Sequence, residues 1–256
     1  MTKAAGTKAA STNVARAKIN LPVDVNAAMA AEMATIQKRI GAPSGDKISV
    51  TQSKTLKLPS GIEVKELDCI IVDFVAANFY YTESYDRNNI VPPVCFAIGL
   101  EPSGLVPSDN SPDKQTASCA ACWANQFNSN GKGKACSNTR LLAVMATAPE
   151  ADGSYPLHIL KVSATAIRSF DGHVGKVAQQ LNMPVRGVVT KISLSTDTEY
   201  ASLRFNISEP ASKELLMEAH ERLGEARTRL MTEPDIAPRE AAPAVKGKPK
   251  GKTAAR

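Results

Sequence analysis

The sequence predicts a mostly β, α+β fold: a small, partly open β-barrel with flanking helices and two disordered basic tails. Three observations carry this. Several short segments rich in Val, Ile, Thr and aromatic residues are separated by turn signals, the pattern of an all-β sandwich or barrel. One helical stretch, about 165–181, interrupts them. The net positive charge is confined to the two ends.

The charge arithmetic sets the boundaries. Residues 1–20 carry Lys3, Lys8, Arg16 and Lys18 with no acid, a charge of +4. Residues 237–256 carry six basic residues against Glu240, a charge of +5. The chain totals +6, so residues 21–236 hold −3. Residues 1–20 are rich in Ala, Thr, Lys and Ser and the C-terminal segment in Pro, Ala, Lys and Gly, both without an apolar period, and 1–20 and 237–256 are read as disordered. They leave one domain over 21–236. Basic tails on a mildly acidic body point to a polyanionic partner, or to plain solubilisation.

Composition excludes several classes. With 43% apolar and 22% charged residues in 256, the chain is neither wholly disordered nor collagenous nor a coiled coil. The longest apolar run, Cys69 to Ala77, is interrupted by Asp73 and is far short of the ~20 residues that span a bilayer. The N-terminus shows no apolar h-region, which argues against a secretory signal.

The elements follow in order. Val25, Met29, Met33, Ile36 and Ile40 recur at helical spacing and predict a helix over 24–40, stopped by Gly41 and Pro43. KISVTQSKTLKL (47–58) reads as a strand ending at Pro59-Ser60-Gly61. Residues 62–81 read as two strands or one long bent one. Further strands are expected at 94–99, 140–147, 157–163, 185–194 and 199–206. A final helix over 210–231 is expected from Leu216, Ala219, Leu223, Ala226 and Leu230, with Ser208 as cap and Pro210 in its first turn. Its charged face packs on the domain or offers a route to a homo-oligomer. A lone helix between the third and fourth strands is the arrangement of an OB-type barrel; a β-sandwich is the alternative.

Five cysteines carry the clearest chemistry. Cys69 lies in an apolar strand and reads as core. Cys119 and Cys122 form a C-x2-C pair, Cys136 follows after 13 intervening residues, and Cys95 begins a strand. Four thiolates are a common tetrahedral donor set for structural Zn2+. The Gly-, Asn- and Ser-rich loop 124–135 cannot form its own core, and a metal would staple it, giving a zinc-binding insertion over about 100–140. A redox C-x-x-C is disfavoured because no thioredoxin-like βαβ pattern surrounds it. His158 and His173 are the alternatives to Cys95 as fourth ligand.

Aromatic and basic residues cluster beside these cysteines. Tyr80, Tyr81 and Tyr85 are followed by Arg87; Trp123 and Phe127 share their loop with Lys132 and Lys134, and Arg140 closes it. Exposed rings along a basic path are how single-stranded nucleic acid is held. No P-loop, G-x-S-x-G, H-E-x-x-H or paired-carboxylate motif is present, so no catalytic residue is assigned.

The ordered motifs KISVTQSKTLKLPSG, IIVDFVAANFYY, PPVCFAIG and CAACWANQFNSNGKGKACSNTR (119–140) resemble a group of tailed-phage proteins regarded as single-stranded DNA-binding proteins. The resemblance spans roughly 46–206. It implies an OB-like barrel with a zinc-stapled insertion and a non-catalytic role in DNA replication or recombination in the bacterial host cytoplasm. By motif, Cys95, Cys119, Cys122 and Cys136 would hold the metal, and Trp123, Phe127, Lys132, Lys134 and Arg140 would flank the DNA. The partners implied are single-stranded DNA and replication or recombination proteins. Many such proteins end in an acidic tail, whereas this sequence ends in VKGKPKGKTAAR. The competing reading is a zinc-ribbon-like protein-interaction module or transcription regulator.

Overall fold

The computed structural model describes residues 46–83, 91–150 and 153–236. The chain divides into two units, Met1–Ser44 and Gly45–Arg256, and all described residues belong to the second. The expected helix over 24–40 and both tails lie outside the described residues.

Among the described residues, nine strands and three α-helices follow in order: β1 (Lys47–Val50), β2 (Leu56–Lys57), β3 (Glu63–Val64), β4 (Glu66–Tyr80), β5 (Cys95–Gly99), β6 (Cys136–Ala146), β7 (Leu157–Val162), α1 (Ala164–Leu181), β8 (Val188–Leu194), β9 (Leu203–Pro210), α2 (Lys213–Glu221) and α3 (Leu223–Leu230). The strands form one curled, open half-barrel sheet in the order β3-β2-β1-β7-β6-β4-β8-β9, with β5 added to β4. Every pairing is antiparallel except β1 with β7. The mostly β character and the inserted helix agree with the sequence reading. Among the described residues, no helix is long and apolar enough to cross a membrane.

β4 organises the sheet. One flank pairs with β6 along nearly its whole length. The other is divided: Glu66–Cys69 pair with β8, and Ala76–Tyr80 pair with β5. The β4–β6 register shifts between Ile71 and Asp73. Such a bulge resets the in–out alternation and bends the strand. Val72 then packs in the outer cluster, while the neighbouring Asp73 accepts a 2.9 Å hydrogen bond from Arg227 Nε of α3.

Two apolar layers result. Inside the curl, Ile71, Leu142, Val144, Leu160 and Ile192 close on Ala166 and Phe170 of α1. Phe170 meets Phe74 and Phe205 edge to face, at 5.0 and 5.2 Å between centroids. Each fully buried residue of this size contributes roughly 1.5–3 kcal/mol through removal of apolar surface from water. Outside the curl, Ile70, Val75, Ala143 and Met145 are covered by Ala219 of α2 and by Ala226 and Leu230 of α3.

Several element boundaries differ from the sequence reading. The segment 47–58 is a hairpin, not one strand: Lys54 adopts a left-handed φ of 57°, and Thr51 N donates across the turn to Thr55 O at 2.9 Å. Gly61, at φ 85°, makes the following turn, where a side chain would be strained. Residues 62–81 resolve into the short β3 and the long bulged β4. β6 begins at Cys136, four residues before the expected start. β9 runs to Pro210, so the last helix starts later; Ser212 rather than Ser208 caps it, accepting from Leu215 N at 3.3 Å. That helix also breaks at Arg222, two residues before Gly224, into α2 and α3. Apolar spacing continues through the break, which is why it reads as one helix.

Candidate nucleic-acid interface and cysteine cavity

The cysteine region is assembled by strand register. Tyr80, the last residue of β4, stands opposite Cys95 on β5 and opposite Cys136 on β6. Directly opposed residues share a sheet face, so the two thiols flank Tyr80 on one side. The 100–135 connection brings the other two. Ser108 N and Asp113 N donate to Phe96 O and Val94 O, both at 2.8 Å, and the buried Ser111 hydroxyl bonds both polar groups of Phe96 at 3.1 Å. These bonds satisfy the outward backbone groups of Phe96 on the free edge of β5. Leu105 folds against Ala76, Ala97 and Cys119. It fits because residue 99 is glycine: a Cβ there would lie 2.9 Å from Leu105 Cδ2. Leu105 O then accepts from Cys119 N at 3.1 Å.

The C-x2-C pair is a tight turn in which Cys122 N donates to Cys119 O and Asn125 N to Cys122 O, at 3.4 and 3.1 Å. Cys95, Cys119, Cys122 and Cys136, each 7–8% exposed, line one small cavity with Asn78 and Tyr80. Burial pushes the Cys136 thiol up to about 12, with the neighbouring thiols Cys119, Cys122 and Cys95 adding to the rise. Burial also raises Cys119, against the opposing hydrogen bond from Asn78. Among the described residues, no group of three or more His, Cys, Asp or Glu side chains forms a metal-holding cluster as placed. The four thiols share a cavity without being drawn onto a common point.

The other candidate ligands lie elsewhere. His173 is buried in the inner core, where its Nε2 is 2.9 Å from Thr190 Oγ1 and its ring faces Phe205. His158 sits on β7 opposite Val144. Neither lines the cysteine cavity, whereas Cys95 does. Cys69 is wholly buried in the inner core, and burial pushes its thiol far up.

A network of amides braces the loop, and sequence reasoning missed it. Asn125 Nδ2 donates to Cys119 O at 2.7 Å, and Asn125 Oδ1 accepts from Asn138 Nδ2 at 3.0 Å and Lys134 Nζ at 3.1 Å. Asn138 also donates to Asn78 Oδ1 at 2.6 Å, linking the loop to β4 and β6. Ser129 Oγ bridges Ala124 O and Ala135 N, at 2.9 and 2.8 Å. Asn125 and Asn138 were visible in the sequence motif, but only contacts reveal that they are structural.

The expected interface residues separate into groups. Trp123 is 49% exposed and Phe127 71%, both on the cysteine loop. Trp123 meets Tyr80 edge to face, and its Nε1 donates to Gln115 Oε1 at 3.1 Å. Lys132 and Lys134 are exposed on the same loop. Tyr81 is half-buried against the Phe79 and Phe96 cluster on the other side of the sheet, and burial raises its phenol pKa. Arg140 is largely buried and pairs with Asp171 of α1 at 3.1 Å. Tyr85 and Arg87 lie outside the described residues.

Comparison with family models, curated proteins and solved structures finds no match to this chain.

Proposed function

We propose that this is a non-catalytic single-stranded DNA-binding protein, built on an OB-like barrel and stapled by one Zn2+. The strand order supports the barrel assignment. Apart from β5, which is inserted between β4 and β6 and lies off this path, the elements β4, β6, β7, α1, β8 and β9 follow in that chain order, with the helix between the third and fourth of these five strands and the spatial order β7-β6-β4-β8-β9. β1 occupies the outer edge of β7.

The donor set supports zinc. Four thiols around one cavity are the soft, anionic-capable ligands that Zn2+ prefers, and the loop they border is too polar to hold itself by apolar burial. Cys95, Cys119, Cys122 and Cys136 would hold the ion through rotation of their side chains inward. The metal supplies a structural cross-link and nothing catalytic. The Asn125 network keeps the loop in register with β4 and β6 whichever way the thiols turn.

The observation that carries the binding reading is Trp123, half exposed on a loop that also bears exposed Phe127, Lys132 and Lys134. Indole and phenyl faces would stack bases, and the lysines would neutralise phosphates. Arg140 acts indirectly, by holding β6 to α1. The α2–α3 pair covers much of the outer face of β4, β6 and β7, which directs a strand toward the cysteine end of the sheet. Exposure of Trp123 is the reason for preferring this reading to an interaction module. A replication or recombination role in a phage-infected bacterium rests on the sequence resemblance alone.

The test is a titration of full-length protein with single- and double-stranded DNA at two salt concentrations, followed by Trp123 fluorescence. Single strands should bind more tightly and quench more. Equal affinity and equal quenching by both forms would refute stacking.

A further inference from the structure

Beyond the part covered by α2 and α3, the outer sheet face carries a second cationic feature that the sequence did not single out. Lys161 on β7 stands opposite Leu141 on β6. Its Nζ lies 4.7 Å from the centroid of the Phe79 ring. Phe79, Leu141 and Tyr81 belong to one cluster at the cysteine end of β4. Lys47 stands opposite Ile159, two residues before Lys161, and so shares its face.

Among the described residues, neither Lys47 nor Lys161 forms an ion pair. The acid nearest in sequence, Asp46, is held by Arg229 at 3.2 Å. Packed atoms around the ammonium and the like charge of Lys47 both pull the Lys161 pKa down. Although Lys161 as a residue is exposed, its charged end lies over an aromatic ring. Such a contact is worth about 0.5–1 kcal/mol at an exposed site and does not neutralise the charge. Two adjacent cations without a counter-ion are mutually destabilising, and an arriving anion removes that repulsion.

We infer that Lys47 and Lys161 form a phosphate seat on the β1–β7 edge of the outer face, with Phe79 as its floor. A phosphodiester or a terminal phosphate bridging the two ammonium groups would meet two donors at once. As a contact for the nucleic-acid backbone, the seat rests on the proposed function and extends the path from the cysteine loop toward β7. A free polyphosphate offers the same chemistry.

Lysine acetylation of the full-length protein, read by mass spectrometry, separates these sources. Lys176, which is exposed on α1 at the inner face of the sheet, serves as the reference. Tripolyphosphate should slow labelling of Lys47 and Lys161 relative to Lys176, and oligothymidine should do the same. In parallel, the K47Q/K161Q double variant should lower the single-strand salt slope by about 1.4, two phosphates at ~0.7 each. Lys161→Arg should restore its share of the slope, separating charge from any loss of packing on Phe79. Protection by tripolyphosphate but not by oligothymidine, with no Trp123 quenching by oligothymidine, supports the phosphate seat and counts against the DNA-binding function. Trp123 quenching by oligothymidine with both lysines fully labelled, and an unchanged slope in the folded double variant, overturns the seat and leaves the DNA-binding function standing.

Discussion

Tyr80 and Trp123 meet edge to face with their centroids 5.5 Å apart and their planes at 77°. One ends the central strand and the other follows the C-x2-C turn, so the contact ties the loop to the sheet beside the cysteine cavity. It also leaves a face of the indole free, and the loop's chemistry can be tested there.

Trp123→Ala should weaken single-stranded DNA binding by about 1–3 kcal/mol if the ring stacks on a base. Removing the indole from its pair with Tyr80 should also lower thermal stability by about 0.5–1.5 kcal/mol. Measuring affinity and melting together separates the two. A folded variant with normal affinity removes Trp123 from the interface.

Protein purified without added metal should contain about one Zn2+ per chain by elemental analysis. Cys119→Ser or Cys122→Ser should abolish that content and lower the melting temperature, because metal binding and loop folding are coupled. Cys69→Ser should retain the metal, since Cys69 bonds Thr190 O inside the core, away from the cavity. A metal-free preparation that melts no lower after chelation would end the zinc assignment.

Asn125→Ala should loosen the cysteine loop. The substitution strands Cys119 O and breaks the link to Asn138. Leaving such groups unpaired costs about 1–3 kcal/mol. Hydrogen exchange should rise across 119–136 while the inner-core strands β6 and β7 stay protected beyond that point. Unchanged exchange in the loop would show that the amide network is dispensable.

Deleting 1–20 and 237–256 should weaken binding and flatten its salt dependence, because those segments hold +9 against a body of −3. The single-strand slope should fall by about 0.7 for every phosphate that the tails neutralise. Equal slopes for the full-length and trimmed proteins would make the tails solubilising only.

Stability should fall as the pH drops below about 6.5, the ordinary histidine value. Burial, and secondarily Lys176, hold the His173 imidazole below that value in the folded state. The unfolded chain therefore takes up the proton first, and the loss continues until the folded-state pKa is passed. His158 is shifted in the same direction, chiefly by burial. Melting temperatures of wild type and His173→Gln across this range provide the check: the variant should show the shallower decline.

The sequence alone was enough for the broad architecture. Alternating apolar residues marked the strands, and one periodic stretch marked α1 almost to the residue, because strand and helix periods are local properties of the chain. The same local signals misread 47–58 and the end of β9. There the turn at Lys54 and the cap at Ser212 depend on which backbone groups find partners. Spacing also marked Cys95, Cys119, Cys122 and Cys136 as a set and set Cys69 apart. Only the tertiary structure decided that Cys95, and neither histidine, lines the cavity. It alone revealed the Asn125 brace, the pairing of Arg140 with Asp171, and the juxtaposition of Lys47 with Lys161. These depend on the β4 bulge, on register across three strands and on a parallel β1–β7 pairing. Such long-range relations join residues far apart in the chain, and no local period encodes them.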